Sequence, residues 1–184
     1  MSDRSMSLLS LARRTLEASF GGAPLEATPP WPDEQRAVFV TLTTHGRLRG
    51  CVGQVEPRYG LGEAVQEAAR AAAFTDSRFA PLVASELAQV RIEVSVLSPL
   101  EWLDVHSEAE ALAKIRPGVD GVVLRCGHRS GLFLPLMWLQ VPDPKEFLFL
   151  LERKAGLPTD RWLVETRVAR FSAEVFEEPE ERSP

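Results

Sequence analysis

Two strand-like runs joined by a short turn constrain the fold of this chain more than any other feature of its sequence. Residues 37–43 alternate between two sets of side chains, and residues 47–55 resume a strand-like pattern after a turn at residues 44–46. Alternation with a period of two is typical of a strand whose two faces meet different surroundings. The pattern therefore predicts an antiparallel β-hairpin over residues 37–55.

The register of this hairpin decides which side chains reach the core. A two-residue turn would place Val40 beside Cys51 and would mix apolar and polar side chains on each face. A three-residue loop with Gly46 in the left-handed conformation instead pairs Leu42 with Leu48. We favour the three-residue loop, which gives a core face of Val38, Val40, Leu42, Leu48 and Val52. The opposite face then carries Thr41, Thr43, Arg47, Arg49 and Cys51.

Hydrophobic spacing predicts the other helices and strands. Apolar side chains at helical spacing predict helices over residues 6–18, 62–74, 107–115 and 143–154. Alternating or continuous apolar runs predict strands over residues 90–96, 121–125, 131–136 and 166–171. A turn at residues 127–130 joins two of these strands into a second hairpin, and Gly156 ends the last helix.

The length and composition favour one globular domain over residues 1–184, with a helix in residues 1–20 and a frayed acidic tail at residues 177–184. The longest uncharged run, residues 131–141, is far shorter than the ~20 apolar residues of a membrane helix. We therefore expect a cytoplasmic protein that does not enter a membrane. A net charge of −5 and a pI near 5.3 argue against nucleic acid as a partner.

The cysteines and histidines show no metal or cofactor pattern. Cys51 and Cys126 are far apart and form no C-x-x-C pair, so we expect two free thiols. The histidines, which are His45, His106 and His128, form no H-x-x-x-H pair. No glycine-rich phosphate loop follows a predicted strand. We therefore expect neither a bound metal ion nor a cofactor.

Five blocks of the sequence resemble one known family. Residues 48–53 read L-R-G-C-V-G and are similar to the family signature L-R-G-C-I-G, with Val52 in place of isoleucine. The other blocks, in the family's order, are residues 76–81, 92–99, 131–135 and 154–158, the last followed by Trp162. The chain thus resembles, over nearly its whole length, the AMMECR-type family, to which the AMME syndrome candidate gene 1 protein and the AmmeMemoRadiSam system protein A belong.

This resemblance implies an α+β fold with mostly antiparallel sheets, flanking helices and two subdomains with a cleft between them. It also implies Memo-like and radical-SAM proteins as candidate partners, but it implies no reaction. Two positions depart from the family pattern, since Leu136 stands where glutamine is usual and Glu152 where many members carry cysteine. A mechanism that needs either of those side chains does not carry over.

Cys51 is the candidate for covalent chemistry. Arg49 lies two residues before it, so the two side chains share one face of a strand, and a guanidinium nearby favours the nucleophilic thiolate. The alternative is that Cys51 is a small buried side chain packed under a helix. His45 at the hairpin tip is either a solvated turn residue or a base that reaches the thiol.

Arg49 and four further residues are candidates for ligand binding. Gly50 and Gly53 weaken a strand, so either a ligand, a packed helix or a bulge brings other atoms close to the backbone there. Asp76 and Arg78 follow the alanine-rich helix, where they form a structural ion pair or line the cleft. If Asp76 pairs with Arg78, Arg49 is free for an anionic ligand, and otherwise Asp76 is the partner of Arg49.

These residues are compatible with two functions. The first is a binding or adaptor module that presents the cleft around residues 48–53 to a small molecule or a protein partner. The second is an enzyme that uses Cys51 as a nucleophile on a small anionic substrate. We favour the binding module, because the sequence shows no acid–base pair, metal site or cofactor motif. In either case we expect Cys126 to be less reactive than Cys51.

Overall fold

The computed structural model describes residues 3–23, 25 and 34–179. The helices are α1 (Asp3–Ser19), α2 (Leu61–Phe74), α3 (Glu108–Lys114) and α4 (Pro144–Ala155). The strands are β1 (Val38–Thr44), β2 (Arg47–Gly53), β3 (Val90–Leu97), β4 (Glu101–Leu103), β5 (Gly121–Cys126), β6 (Arg129–Phe133), β7 (Arg167–Phe171) and β8 (Ala173–Glu177). Short 3-10 helices lie at Ala84–Glu86 and Pro135–Leu139. The predicted α+β fold is confirmed.

The chain divides into two compact units, a first unit of residues 1–97 and 174–184 and a second unit of residues 98–173. A cleft between the two parts of the chain stays a prediction. Among the described residues, no helix has the length and the apolar character needed to cross a membrane.

The first unit folds around a four-stranded sheet with the strand order β2-β1-β3-β8. Helices α1 and α2 cover one face of this sheet, because their apolar side chains join those of β1 and β3 in a single core. The most deeply buried members of that core include Leu8, Leu11, Leu16, Val40, Leu42, Val65, Ala69, Ile92 and Val94. The opposite face of the sheet carries the alternate side chains of the same strands.

The first predicted hairpin is present, since β1 pairs with β2, but its turn differs from the prediction. His45 and Gly46 form a two-residue turn with φ angles of 51° and 72°. Positive φ at both central residues is what a type I′ turn requires, and the twist of this turn matches that of the strands. The predicted three-residue loop is therefore wrong.

A β-bulge next to the turn keeps the two faces of the hairpin distinct. Leu42 pairs with Gly50, although its neighbour Thr43 pairs with Leu48. Arg49 is therefore an extra residue in β2. Beyond the extra residue Val40 pairs with Val52 and not with Cys51. A two-residue turn therefore no longer mixes apolar and polar side chains on one face. Gly50 takes the core position opposite Leu42, and the predicted core residue Leu48 is 43% exposed.

The second unit contains another four-stranded sheet, with the strand order β4-β7-β5-β6. Helix α4 packs on one face of it, and Phe147 of α4 is fully buried in the core of this unit. Trp138 stacks on Phe147 with the ring centroids 3.7 Å apart and donates its indole N–H to the carbonyl of Asp120. Ser107 and Asp143 cap α3 and α4, as their positions before the helices predict.

Strands β4 and β8 are not among the predicted elements, and β8 corrects the predicted tail. β4 is only three residues long, which is too short for alternation to be recognised. The predicted fraying of residues 177–184 is wrong at its start, because Glu177 ends β8 and Glu178 accepts hydrogen bonds from the Arg13 side chain and the backbone N–H of Ile92. Residues 180–184 lie outside the described residues.

Candidate functional site

The candidate site lies on the outer edge of β2, which is an end strand of the first sheet. An edge strand has a row of backbone N–H and C=O groups that no neighbouring strand pairs with. The segment between α2 and β3 lies along this edge, and charged side chains connect it to β2. Side chains from this segment thus form hydrogen bonds with backbone groups of β2 that a further strand would otherwise bind.

Asp76 and Arg78 bind both outward backbone groups of Cys51. Oδ2 of Asp76 accepts a hydrogen bond from the Cys51 N–H at 2.9 Å, and Nη2 of Arg78 donates to the Cys51 carbonyl at 3.1 Å. The two side chains also pair with each other, at 2.9 Å and 2.7 Å. Hydrogen bonds from Arg78, and then from Cys51, hold the pKa of the buried Asp76 carboxyl well below its usual range. We call this arrangement the edge clamp.

Arg49 pairs with a residue that was not predicted to be near it. Its Nε and Nη2 donate to the two carboxylate oxygens of Glu86 at 2.8 Å and 2.9 Å, and its Nη1 donates to the carbonyl of Ala80 at 2.9 Å. The hydrogen bonds from Arg49 lower the pKa of Glu86 to about 2, with help from the Val83 N–H. Arg49 is therefore not the partner of Asp76, and that expectation is wrong. A role of Arg49 in binding an anionic ligand stays a prediction.

The thiol of Cys51 is half-buried and lies on the face of the sheet away from α2. Thr41 is directly across from it on β1, and Oγ1 of Thr41 donates a hydrogen bond to Sγ at 3.3 Å. Arg78 also lies nearby, because its Nη2 donates a hydrogen bond to the Cys51 carbonyl at 3.1 Å. A hydroxyl donor and a cation therefore lie close to this cysteine.

A row of polar side chains extends from Cys51 across the sheet. Thr41 pairs with Cys51 on one side and with Glu93 of β3 on the other, so the three side chains share one face. Oγ of Ser95 donates to Oε1 of Glu93 at 3.1 Å, and burial raises the pKa of Glu93. Glu93 was not predicted as a site residue, because alternation assigns a residue to a face without showing which strand is its neighbour.

Gly50 and Gly53 are explained by packing within the protein. A Cβ atom at position 50 would lie 2.1 Å from the carbonyl oxygen of Ala72 in α2. A Cβ atom at position 53 would lie 2.3 Å from the carbonyl oxygen of Val38 in β1. The helix and the neighbouring strand are thus the groups that approach these glycines closely.

Gly53 also lines a pocket of the first unit. α2 contacts β2 closely at Gly50, and the pocket lies between α2 and the end of β2. Its lining contains apolar side chains, those of Val52, Ala64, Ala68 and Ala71, and charged or polar side chains, among them those of Arg36, Arg58, Tyr59 and Glu67. The cavity volume is about 90 Å³.

The structure therefore divides the predicted site residues between two places. Arg49, Cys51, Asp76 and Arg78 come together at the edge of β2, where Asp76 and Arg78 contact the backbone of Cys51 directly. Gly53 belongs to the pocket. His45 is an exposed turn residue. Among the residues that the structure describes, no group of three histidine, cysteine, aspartate or glutamate side chains is placed to hold a metal ion.

The two positions that depart from the family pattern both lie in the second unit. Leu136 is 56% exposed on a 3-10 helix. Glu152 is 7% exposed on α4. Burial, and then the charge of Glu108, raise the pKa of Glu152 to about 7.

Comparisons with known proteins agree with this architecture. The AMMECR1 family model matches residues 9–176. A protein of Thermococcus onnurineus is 45% identical over 96% of this chain and 91% of its own length. Protein MJ0810 of Methanocaldococcus jannaschii is 41% identical over 93% of this chain and 88% of its own length.

A solved structure has a similar fold. The crystal structure of an uncharacterized protein, PH0010 from Pyrococcus horikoshii, matches with a TM-score of 0.86 at 38% sequence identity, and the match covers 100% of this chain and 96% of that one. The resemblance inferred from the five sequence blocks is confirmed. Since one family model matches residues 9–176, which include parts of both units, the chain belongs to the AMMECR1 family.

Proposed function

We propose that this protein is a binding module and that the pocket at the end of β2 receives a small ligand. The observation that carries the proposal is the make-up of the pocket, whose lining combines apolar side chains with charges of both signs. Concave sites with an apolar lining and a few polar groups are the usual form of small-molecule sites. The charged residues at the edge of β2 are instead bonded to each other, to Glu86 and to the backbone.

The charges around the pocket favour a small zwitterion with an apolar side chain, such as a free amino acid. Arg58 and Glu67 are both exposed, and the Arg70 contact of Glu67 is long, at 3.8 Å. Arg58 would receive a carboxylate and Glu67 an ammonium group. The cavity volume of about 90 Å³ would accommodate a small apolar side chain, such as that of valine.

Calorimetric titration with valine tests this proposal. We expect saturable binding that weakens about tenfold or more in Arg58→Gln, because a charge-assisted hydrogen bond is lost. Arg161→Gln is the matched control, since Arg161 is an exposed arginine of the second unit. No binding at millimolar valine, or equal binding by the two variants, would contradict the proposal.

A second candidate function, thiol chemistry at Cys51, is favoured by the donors around Sγ. Thr41 donates to Sγ, and Arg78 donates to the carbonyl of the same residue. We expect brief iodoacetamide treatment of the native protein to alkylate Cys51 before Cys126. Thr41→Val should slow the reaction of Cys51 but not that of Cys126, because only Cys51 loses a donor that stabilises its thiolate. Mass spectrometry that finds Cys126 modified first would remove the support for this candidate.

The family resemblance makes Memo-like and radical-SAM proteins the candidate protein partners of this module. Size-exclusion chromatography of the purified proteins together tests this. Co-elution with a Memo-like protein that Arg58→Gln leaves intact would place the partner surface outside the pocket.

A further inference from the structure

Two arginines surround an exposed tryptophan on the sheet of the second unit. The guanidinium carbon of Arg167 lies 4.3 Å from the centroid of the Trp102 ring, and that of Arg125 lies 5.3 Å from it. Both distances are within the range in which a cation is attracted to an aromatic face. The Trp102 side chain is nevertheless 36% exposed, so it does not belong to the core.

The strand pairing brings a hydroxyl group to the same place. Arg125 of β5 pairs with Arg167 of β7 on one side and with Ser130 of β6 on the other, so these side chains share one face of the sheet. Trp102 pairs with Ala169, two residues beyond Arg167, and so lies on this face as well. We call the set of Trp102, Arg125, Ser130 and Arg167 the arginine patch.

The arginine patch places like charges next to each other. Like charges directly opposite on neighbouring strands destabilise a sheet, so Arg167 needs a compensating interaction. Contact with Trp102 supplies part of it. Arg167 is exposed and makes no ion pair with a carboxylate among residues 3–23, 25 and 34–179. An anion bound at Arg167 would compensate its charge further.

We propose that the arginine patch binds a nucleoside phosphate. Its phosphate would accept hydrogen bonds from the guanidinium groups and from the Ser130 hydroxyl, which are donors of the kind that recognise phosphate. Its base would stack on the Arg167 guanidinium, which already lies over Trp102, because bases stack on both aromatic side chains and guanidinium planes. The patch is small and the net charge of the protein is −5, so the ligand is a free nucleotide rather than a nucleic acid strand.

Titration calorimetry with adenosine monophosphate tests the proposal. We expect saturable binding by the unmodified protein that weakens about tenfold or more in Arg167→Gln and in Trp102→Leu, since each variant removes one of the two kinds of contact. Arg153→Gln is the matched control. Arg153 is also exposed on the second unit and also lies over an aromatic ring, that of Phe149 at 6.0 Å, but within the described part of the chain no second arginine lies over that ring.

Adenosine and inorganic phosphate, titrated separately, show which part of the nucleotide is recognised. Each should bind at least about tenfold more weakly than the nucleotide, because each lacks one of the two contacts. The proposal is overturned if the nucleotide does not bind, if Arg167→Gln binds it as Arg153→Gln does, or if phosphate alone binds equally tightly. It is also overturned if Arg58→Gln rather than Arg167→Gln weakens binding, since the nucleotide would then occupy the pocket of the first unit. Thermal melting of each variant confirms that it is folded.

Discussion

The Asp76 carboxylate accepts a hydrogen bond at 2.9 Å from the backbone N–H of Cys51, a residue 25 positions earlier in the chain. Arg78 donates a hydrogen bond to the carbonyl of the same residue, so one ion pair binds both outward-facing backbone groups of Cys51. A backbone N–H and C=O at a sheet edge are usually bonded to water or to another strand. The charged residues that follow α2 therefore hold β2 in place.

Removing Asp76 should destabilise the protein strongly. We expect Asp76→Ala to lower the free energy of unfolding by about 2–4 kcal/mol, because the Cys51 N–H and the Arg78 guanidinium both lose a charged partner. Urea denaturation measures the change. Asp160→Ala, at an exposed aspartate, should stay within about 0.5 kcal/mol of the unmodified protein. An equally small effect of Asp76→Ala would show that the edge clamp is not needed.

The edge clamp also predicts a loss of stability in acid. The pKa of Asp76 is lower in the folded protein than in the unfolded chain, so its contribution is complete above the usual aspartate pKa of about 3.9 and is lost as the pH falls further. Asp76→Ala should remove this part of the pH dependence.

The pair of Arg49 and Glu86 should be strongly coupled. In a double-mutant cycle with Arg49→Met and Glu86→Gln, we expect a coupling energy of about 1–2 kcal/mol, because the pair is bidentate and Arg49 is only 15% exposed. The exposed pair of Arg70 and Glu67, at 3.8 Å, is the control and should give less than about 0.5 kcal/mol. Equal coupling energies in the two cycles would contradict this prediction.

A methyl group at position 50 should disrupt the contact between α2 and β2. We expect Gly50→Ala to cost at least about 2 kcal/mol, since its Cβ would lie 2.1 Å from a backbone oxygen that cannot move without moving the helix. Gly60→Ala is the control, because Gly60 has a φ angle of −60° and open space around its Cβ position. If both variants melt at the same temperature, the close approach of α2 is not a constraint.

Glu152 should make the protein less stable as the pH rises toward neutrality. Burial raises its folded pKa to about 7, so between about pH 4.5 and pH 7 the folded state keeps a proton that the unfolded chain has lost. Stability is therefore greatest below this window and falls by up to about 3 kcal/mol across it. Denaturation at a series of pH values should show this fall in the unmodified protein and in the exposed control Glu165→Gln. The fall should be absent from Glu152→Gln.

The sequence predicts the elements of this fold better than it predicts their pairing. Alternation located β1, β2 and β3 because their inward side chains reach a continuous core. It could not locate the bulge at Arg49, since an extra residue leaves the composition of a strand unchanged and shifts only its partners.

The candidate site was predictable only in part, for a related reason. Spacing indicated that Asp76 and Arg78 are near each other, because they are two residues apart. The Arg49 pair with Glu86 spans 37 positions and depends on the path of a loop, for which hydrophobic periodicity carries no information. Thr41 pairs with Cys51 on one strand and with Glu93 on the other. The position of Glu93 relative to Cys51 can therefore be predicted only when both strand registers are known.

The position of β8 has a consequence for the order in which this protein can fold during synthesis. The last strand of the first sheet, and the Glu178 that bonds to Arg13 of α1, come from residues made after the whole second unit. At about 5–20 residues per second, several seconds pass between the synthesis of β3 and that of its edge partner. Throughout that interval the newly made first unit carries an open sheet edge, which is a site for pairing with other chains. A ribosome that pauses within residues 98–173 prolongs this exposure, so translation speed through the second unit bears on the solubility of the first.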